Sequence, residues 1–280
     1  MEHDFVLLAG DARQRALLKL LQSRGESAVH LSSCRSADLL RSEISAAKTV
    51  VLPVAMSRDS VHLRSSSEEC LLLTDVFAAL KNGQRVFGGG FSAEQLQQAE
   101  TRGARAFDFL KDEAFALKNA ALTAQGALRL LLENLSVSLQ GLPVLITGFG
   151  RIGKATGALL KNTGCRVSVA ARSEIQRTEA SLSGLNALPL SLLKQALPAA
   201  AVIVNTVPAP LFGFEELQHC KENAIFLELA SAPFGAKEGD VRAFGLHYLP
   251  GGGLPGRFCP DACAEAMLSV IDQPAKGVIS

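Results

Sequence analysis

Short apolar runs alternate with stretches of helical periodicity along almost the whole chain. In the first half the pattern predicts strands at 4–9, 27–31, 49–54, 84–88 and 104–108. Helices are predicted between them at 12–24, 36–47, 74–82 and 92–102. Gly25, Gly83 and Gly103 stand where these helices should stop, since glycine readily takes the left-handed conformation that follows a helix. The polar, serine-rich stretch 55–70 interrupts the rhythm and reads as a solvated connection or a flap over a site.

A long helical run from 119 to 138 ends at Gly141-Leu142-Pro143, and a second alternating series begins there. It predicts strands at 143–147, 165–170, 201–205, 224–229 and 246–249, helices at 151–163, 174–182 and 191–197, and a short segment at 185–190. A last helix is predicted at 260–272. Strand-helix-strand repetition calls for parallel pairing, so the fold class expected is α/β, with two Rossmann-like parallel-sheet domains joined by a long helix. The boundaries expected are an N-terminal substrate or catalytic domain (1–118), a linking helix (119–140) and a dinucleotide domain (141–256). The C-terminal segment (257–280) is expected to pack back at the domain junction.

Composition narrows the function classes. A net charge of +1 over 280 residues offers no field for nucleic acid or an acidic membrane. With no Trp and a single Tyr, Tyr248, the chain lacks the aromatic platforms of a single-strand binder. The longest uncharged run, 195–214, is broken by three prolines and Asn205 and does not read as a membrane span. The N-terminus MEHDF lacks a basic signal region, which predicts a cytoplasmic chain. The cysteines at 34, 70, 165, 220, 259 and 263 have no zinc-ligand spacing and read as reduced, structural thiols, so no metal is expected.

The strongest motif is PVLITGFGRIGKATG, in which Gly148, Gly150 and Gly153 form G-x-G-x-x-G between an apolar strand and a helix. The first glycine makes a tight turn, the second admits a pyrophosphate, and the third lets helix and strand pack closely. Phe149, Arg151 and Ile152 lie in the same turn and are counted with it as cofactor-binding. An NAD enzyme usually carries an acid about 20 residues further on, at the end of the second strand. Here Ala170-Ala171-Arg172-Ser173 stands there instead. Arg172 can pair with a 2′-phosphate and Ser173 can donate to it, so NADP(H) is favoured over NAD(H). Asn205, Thr206, Val207 and Pro208 close the fourth strand of the domain at the sheet edge where ligands lie. They read as a loop along the cofactor or as a turn bonded to its own backbone. Gly253, Leu254 and Pro255, in a glycine-rich stretch, complete the cofactor candidates.

With these residues placed, the chain resembles the family of dipicolinate synthase A subunits. The resemblance rests on GDARQ (10–14), NAALTAQG (119–126), GFGRIG (148–153), AARS (170–173), NTVPAP (205–210), LELASAPFG (227–235) and GGGLPGRFCPDA (251–262). Leu122, Gln125, Glu228 and Phe234 depart from the family pattern. The resemblance implies an oxidoreductase that makes pyridine-2,6-dicarboxylate for spores from a cyclic lysine-pathway intermediate, dihydrodipicolinate or its hydroxy-tetrahydro precursor. It also implies a flavoprotein partner (the B subunit) and the mother cell of a sporulating bacterium as the setting. Two other readings stand beside it. One is an NADP-dependent reductase of another small carboxylate with the plan of the 2-hydroxyacid dehydrogenases, although His247 has no evident acid partner. The other is a non-catalytic nucleotide-binding component of a flavoprotein complex. A homo-oligomer is compatible with all three.

The turn after the first strand carries charge where glycines usually gather. Asp11 and Gln14 have the spacing of a helix cap with a reach-back partner. Asp11 is also the candidate catalytic group. Arg13 would face the positive end of the helix dipole, so an anion is expected beside it. The substrate implied by the resemblance carries two carboxylates, and Arg13 is the candidate to hold one. Asn119 and Thr123 are substrate candidates too, on one face of a continuous helix or with Thr123 capping a helix that starts there. Ser231, in the turn after the fifth strand of the second series, completes the set.

Overall fold

The computed structural model describes residues 2–33, 36–57, 59–65 and 71–273. Cys34, Cys70, Arg58, residues 66–69 of the serine-rich stretch and residues 274–280 lie outside the described residues. Two compact units are formed, one by Met1–Asn119 with Pro255–Ser280 and one by Ala120–Leu254.

The first unit opens with β1 (His3–Leu8), α1 (Ala12–Ser23), β2 (Ala28–Leu31), α2 (Ala37–Ala46) and β3 (Ala47–Val51). It continues with α3 (Leu73–Ala78), β4 (Arg85–Gly88), α4 (Ala93–Thr101) and β5 (Arg105–Asp108). Its strands all pair in parallel in the order β2-β1-β3-β4-β5. The last four residues of β1 and the last three of β3 are buried, as expected for central parallel strands covered on both faces. Val6, Leu8, Ile44, Val50, Phe77 and Val86 lie in the core between sheet and helices. β3 starts directly from α2 and ends at Val51, earlier than the predicted 54. Residues beyond it leave the sheet and become available to the turn after β1. The described part of the serine-rich stretch is fastened rather than loose: Gly10 donates to the Arg64 carbonyl (2.9 Å), and Arg64 and Met56 donate to Met56 and Gly89 (both 2.8 Å).

A single helix, α5 (Glu113–Asn134), starts in the first unit and ends in the second. It begins before the predicted residue 119 because Asp112 caps it, accepting from the Phe115 amide at 2.8 Å.

The second unit contains β6 (Pro143–Thr147), α6 (Arg151–Asn162), β7 (Arg166–Ala171), α7 (Glu174–Leu182), β8 (Asn186–Pro189) and α8 (Leu193–Ala196). β9 (Val202–Asn205), α9 (Phe214–Leu217), β10 (Ile225–Glu228), α10 (Glu238–Ala243) and β11 (His247–Pro250) follow. The strand order is β11-β10-β9-β6-β7-β8, all parallel. This is the doubly wound Rossmann order, which reverses between β6 and β9. The helix predicted at 191–197 is instead two 3-10 turns flanking four-residue α8, because Pro198 cannot donate to a helical ladder. α9 and α10 are too short for a helical period to show in sequence. The chain returns to the first unit through α11 (Leu254–Phe258) and α12 (Pro260–Ile271). α12 packs on α1, and Arg24 pairs with Asp272 just beyond it at 2.7 Å. Among the described residues no helix is long and apolar enough to cross a membrane, and no cluster of His, Cys, Asp or Glu could hold a metal.

Candidate functional site

In the first unit the sheet reverses its order between β1 and β3, and the turn after β1 sits at their carboxyl ends. Asp11 is the N-cap of α1 and accepts from the Arg13 amide at 3.0 Å. The Arg13 guanidinium folds back onto the same carboxylate, with Nε to Oδ1 at 2.9 Å and Nη2 to Oδ2 at 2.7 Å. Nη2 also donates to the Val54 carbonyl beyond β3. Arg13 is only 4% exposed. Burial works against the Asp11 charge, but the hydrogen bonds and charge of Arg13 outweigh it and hold the carboxyl below its ordinary range. The anion expected beside Arg13 is therefore Asp11 itself, two residues away.

Gln14 does not reach back to the cap. It is buried, and its amide donates to Val51 (3.2 Å) and more weakly to Leu8 (3.4 Å), tying α1 to the ends of β3 and β1. Cys263 of α12 lies beside Arg13, and burial pushes its thiol up although Arg13 opposes the shift. A Cβ on Gly256 would fall 2.5 Å from Asp11 Oδ2, so only glycine fits against the carboxylate. In the excursion after β3, His62 Nδ1 meets Asp59 Oδ2 at 2.7 Å. That is a carboxylate-oriented imidazole, which His247 lacks among the described residues, and its i,i+3 spacing in a polar loop is too common a pattern to single out in sequence.

Of the other substrate candidates, Asn119 and Thr123 lie on uninterrupted α5, so no helix starts at Thr123. Asn119 belongs to the first unit and buried Thr123 to the second. Ser231 is exposed in the turn after β10, and its carbonyl accepts from the Phe234 amide at 3.0 Å.

The second unit reverses its order between β6 and β9. Gly148, at φ +84°, turns the chain after β6, and Gly150 is the N-cap of α6 with no side chain capping it. A Cβ on Gly153 would stand 2.4 Å from the Gly148 carbonyl oxygen, whereas one on Gly150 would meet no atom within 4 Å. Gly153 thus serves packing, and Gly150 faces open space at the amide-bearing end of a 12-residue helix. A pyrophosphate fits that arrangement, since the amides at a helix start and the helix dipole both favour an anion. Phe149 is buried beneath the turn, while Arg151 is exposed and Ile152 half-buried. Arg172 and Ser173 are exposed at the end of β7, and Ser173 begins α7 without capping it. The carbonyls of Ala171 and Arg172 accept from Arg177 at 3.1 and 2.7 Å, which fixes the backbone there.

The loop after β9 lies against the glycine turn: Thr206 Oγ1 and a Val207 methyl border Gly148, and Thr206 donates to the Thr147 carbonyl at 2.8 Å. Asn205 is placed behind this loop rather than on its surface. It is fully buried, and all four side-chain hydrogen-bonding positions are taken. Its oxygen accepts from Thr147 (2.7 Å) and the Val207 amide (3.2 Å); its nitrogen donates to Val207 (3.0 Å) and Glu228 (2.7 Å). Its geometry suits shaping the loop, not touching a ligand. Pro208 is exposed, and Gly253 turns the chain at φ +77° before buried Leu254 and Pro255.

Glu228 is the residue that sequence reasoning passed over as a mere departure from a pattern. It is buried at the end of β10 and accepts from Asn205, from the Ala230 amide (3.0 Å) and from the Gly235 amide (2.8 Å). Burial raises its carboxyl above the ordinary range, and these donors only partly offset that. The available signal was an acid inside the apolar run IFLELA, where an ionisable side chain needs local donors.

Comparison with known proteins agrees with this geometry in both units. Residues 4–110 match the family described as the N-terminal domain of the dipicolinate synthase A subunit. Residues 118–237 match the NAD binding domain of D-isomer specific 2-hydroxyacid dehydrogenases. The dipicolinate synthase A subunit of Bacillus subtilis (strain 168) is 23% identical over 227 residues, 80% of this chain and 76% of that protein. Over most of its length the chain is thus similar to dipicolinate synthase A subunits. The crystal structure of a family member from Bacillus halodurans superposes with a TM-score of 0.83 at 19% identity, covering 96% of this chain and 97% of that one. The crystal structure of the Bacillus subtilis member gives 0.77 at 20% identity, covering 97% and 95%. The transhydrogenase of Sinorhizobium meliloti gives 0.62 at 13% identity, covering 95% and 93%. The second unit carries the nicotinamide-dinucleotide-binding fold of an oxidoreductase.

Proposed function

We propose that the protein is the NADP(H)-binding A subunit of a dipicolinate-forming oxidoreductase, working with a flavoprotein partner. The observation that carries the cofactor choice is the pair Arg172–Ser173, exposed at the end of β7 where an NAD enzyme would hold the ribose with a carboxylate. A guanidinium and a hydroxyl at that position suit a 2′-phosphate. When bound, the dinucleotide supplies the two-electron chemistry that aromatising a dihydropyridine dicarboxylate requires. The chain's own contribution is positional. The amides of α6 hold the pyrophosphate, Thr206–Pro208 line the ribose side, and Asn205 fixes their backbone.

In the first unit Asp11 and Arg13 satisfy each other, so their part is to shape the end of the sheet. A carboxylate held ionised by Arg13 is a poor proton acceptor near neutrality. That favours a partner protein which completes the chemistry. Titration of the purified chain with NADPH and NADH tests the reading, together with turnover of dihydrodipicolinate with and without the flavoprotein. NADPH should bind more tightly, and Arg172→Ala should lose roughly 10- to 100-fold in NADPH affinity while leaving NADH unchanged. Equal affinity for the two dinucleotides in the unmodified chain would refute the preference.

A further inference from the structure

The turn that follows β10 holds a bulky residue in a conformation ordinarily left to glycine. Phe234 has φ +63° and is 44% exposed. A non-glycine residue in the left-handed region is disfavoured, and a bulky aromatic one is a genuine outlier. Such a conformation persists only where the surroundings over-determine it. Here they do. The Gly235 amide donates to Glu228 Oε2 at 2.8 Å, and the Gly235 carbonyl accepts from both Leu211 and Phe212 at 2.9 Å. A Cβ on Gly235 would stand 2.4 Å from Asn205 Nδ2, so this anchor is packed as well as bonded. The Phe234 amide donates to Ser231, closing the turn from the other side.

The ring gains little from its own protein in return, being much more exposed than Phe212 and Phe226, which meet edge to face in the core beneath. The fold therefore commits a buried carboxylate and a strained residue to displaying an aromatic face. It does so at the carboxyl end of the sheet, on the loop neighbouring β9, the edge at which ligands of doubly wound folds lie. We propose that Phe234 is a specificity-determining residue that stacks on a planar heteroaromatic ring bound there. The ring is either the nicotinamide of the dinucleotide or a pyridine dicarboxylate, and the inference rests on the dinucleotide reading of the second unit.

The test combines melting curves of the ligand-free chain with calorimetric titration of three ligands: NADP+, 2′-phospho-ADP-ribose, which lacks the nicotinamide, and pyridine-2,6-dicarboxylate. Phe234→Gly should raise the melting temperature by about 1–4 °C by relieving the backbone. It should also weaken at least one ligand that carries a pyridine ring roughly three- to tenfold while leaving 2′-phospho-ADP-ribose unchanged. The arm that weakens identifies the ring. Phe234→Leu should lose the same affinity without the rise in melting temperature, and Phe234→Tyr should restore it. Unchanged affinity for both pyridine-ring ligands, NADP+ and pyridine-2,6-dicarboxylate, in Phe234→Gly would overturn the proposal, as would a fall in its melting temperature. Failure of the unmodified chain to bind 2′-phospho-ADP-ribose would instead sink the dinucleotide reading.

Discussion

Replacing Asp11 by alanine is the sharpest perturbation of the first unit, because it removes a helix cap and strands a buried cation together. The cap is worth about 1 kcal/mol. Breaking a buried ion pair by removing one partner costs roughly 3–5 kcal/mol, since the survivor stays desolvated and unpaired. Asp11 keeps 28% of its side-chain surface in solvent, so water can enter and the lower end applies. A total of about 3–4 kcal/mol lowers the melting temperature by roughly 6–16 °C for units of this size. Arg13→Ala should cost less, about 2 kcal/mol, because the partly exposed carboxylate it leaves can hydrate while the Val54 carbonyl loses its donor. The double variant should then be about 1.5–3 kcal/mol more stable than the sum of the singles predicts, the signature of a direct pair. The assay is thermal and urea unfolding of the three variants at pH 7. The effect also has a pH window. Asp11 is held below the ordinary value of 3.8, so its stabilisation is present above that pH and disappears as pH falls through the lower folded value. If Arg13→Ala melts like the unmodified chain, or if the two losses simply add, Arg13 is not Asp11's structural partner. Its candidacy for a substrate carboxylate would then return.

Two further predictions concern the second unit. Gly150→Ala should leave the melting temperature unchanged, because its Cβ meets nothing in the protein, yet weaken NADPH by about tenfold or more; Gly153→Ala should unfold early, because its Cβ meets the Gly148 carbonyl. Equal melting of the two variants would contradict the division of labour between these glycines. Glu228 titrates above its ordinary 4.5 in the folded chain, so the native state binds a proton that the unfolded state has released. Its contribution to stability is full below pH 4.5 and declines as pH rises through the raised value. The melting-temperature gap between the unmodified chain and Glu228→Gln should therefore differ between about pH 5 and about pH 8, the unmodified chain losing ground at the higher pH. A gap independent of pH would refute the assignment.

Much of the architecture was legible because parallel strands and the helices between them announce themselves locally. The glycine turn was legible for the same reason: its three positions, the strand before and the helix after are contiguous in the chain. What escaped was nonlocal. Gln14 matched a reach-back cap by spacing, but β3 ends early enough to offer the Val51 carbonyl across the sheet, and the amide went there. Cys263 and Gly256 close around Asp11 and Arg13 from the far end of the chain, with no pattern connecting them. The continuous helix through Thr123 was open between two readings, and the choice depended on an acid at 112 that lies outside the motif. Glu228 was visible as an acid in an apolar strand, but its partners at 205, 230 and 235 belong to three different segments.

The two units solve one geometric problem in different ways. Each sheet reverses its order beside its first strand, and the turn there must bridge two strand ends that diverge. In the second unit glycines make the bridge, leaving amides and open space at Gly150 that an anionic ligand can fill. In the first unit the equivalent anion is supplied from within. Asp11 takes the place at the start of α1, and Arg13 ties it to the far strand through Val54. A helix start already neutralised by its own carboxylate has little left to offer a phosphate, which explains how two sheets of similar plan can differ in dinucleotide binding. The distinction is testable in a further variant. Asp11→Gly should free that helix start, and weak binding of inorganic phosphate by the first unit's turn should appear there but not in the unmodified chain. Phosphate-induced shifts of the amides at 12–14, followed by NMR, would detect it. Their absence in Asp11→Gly would mean that something other than the carboxylate keeps anions out.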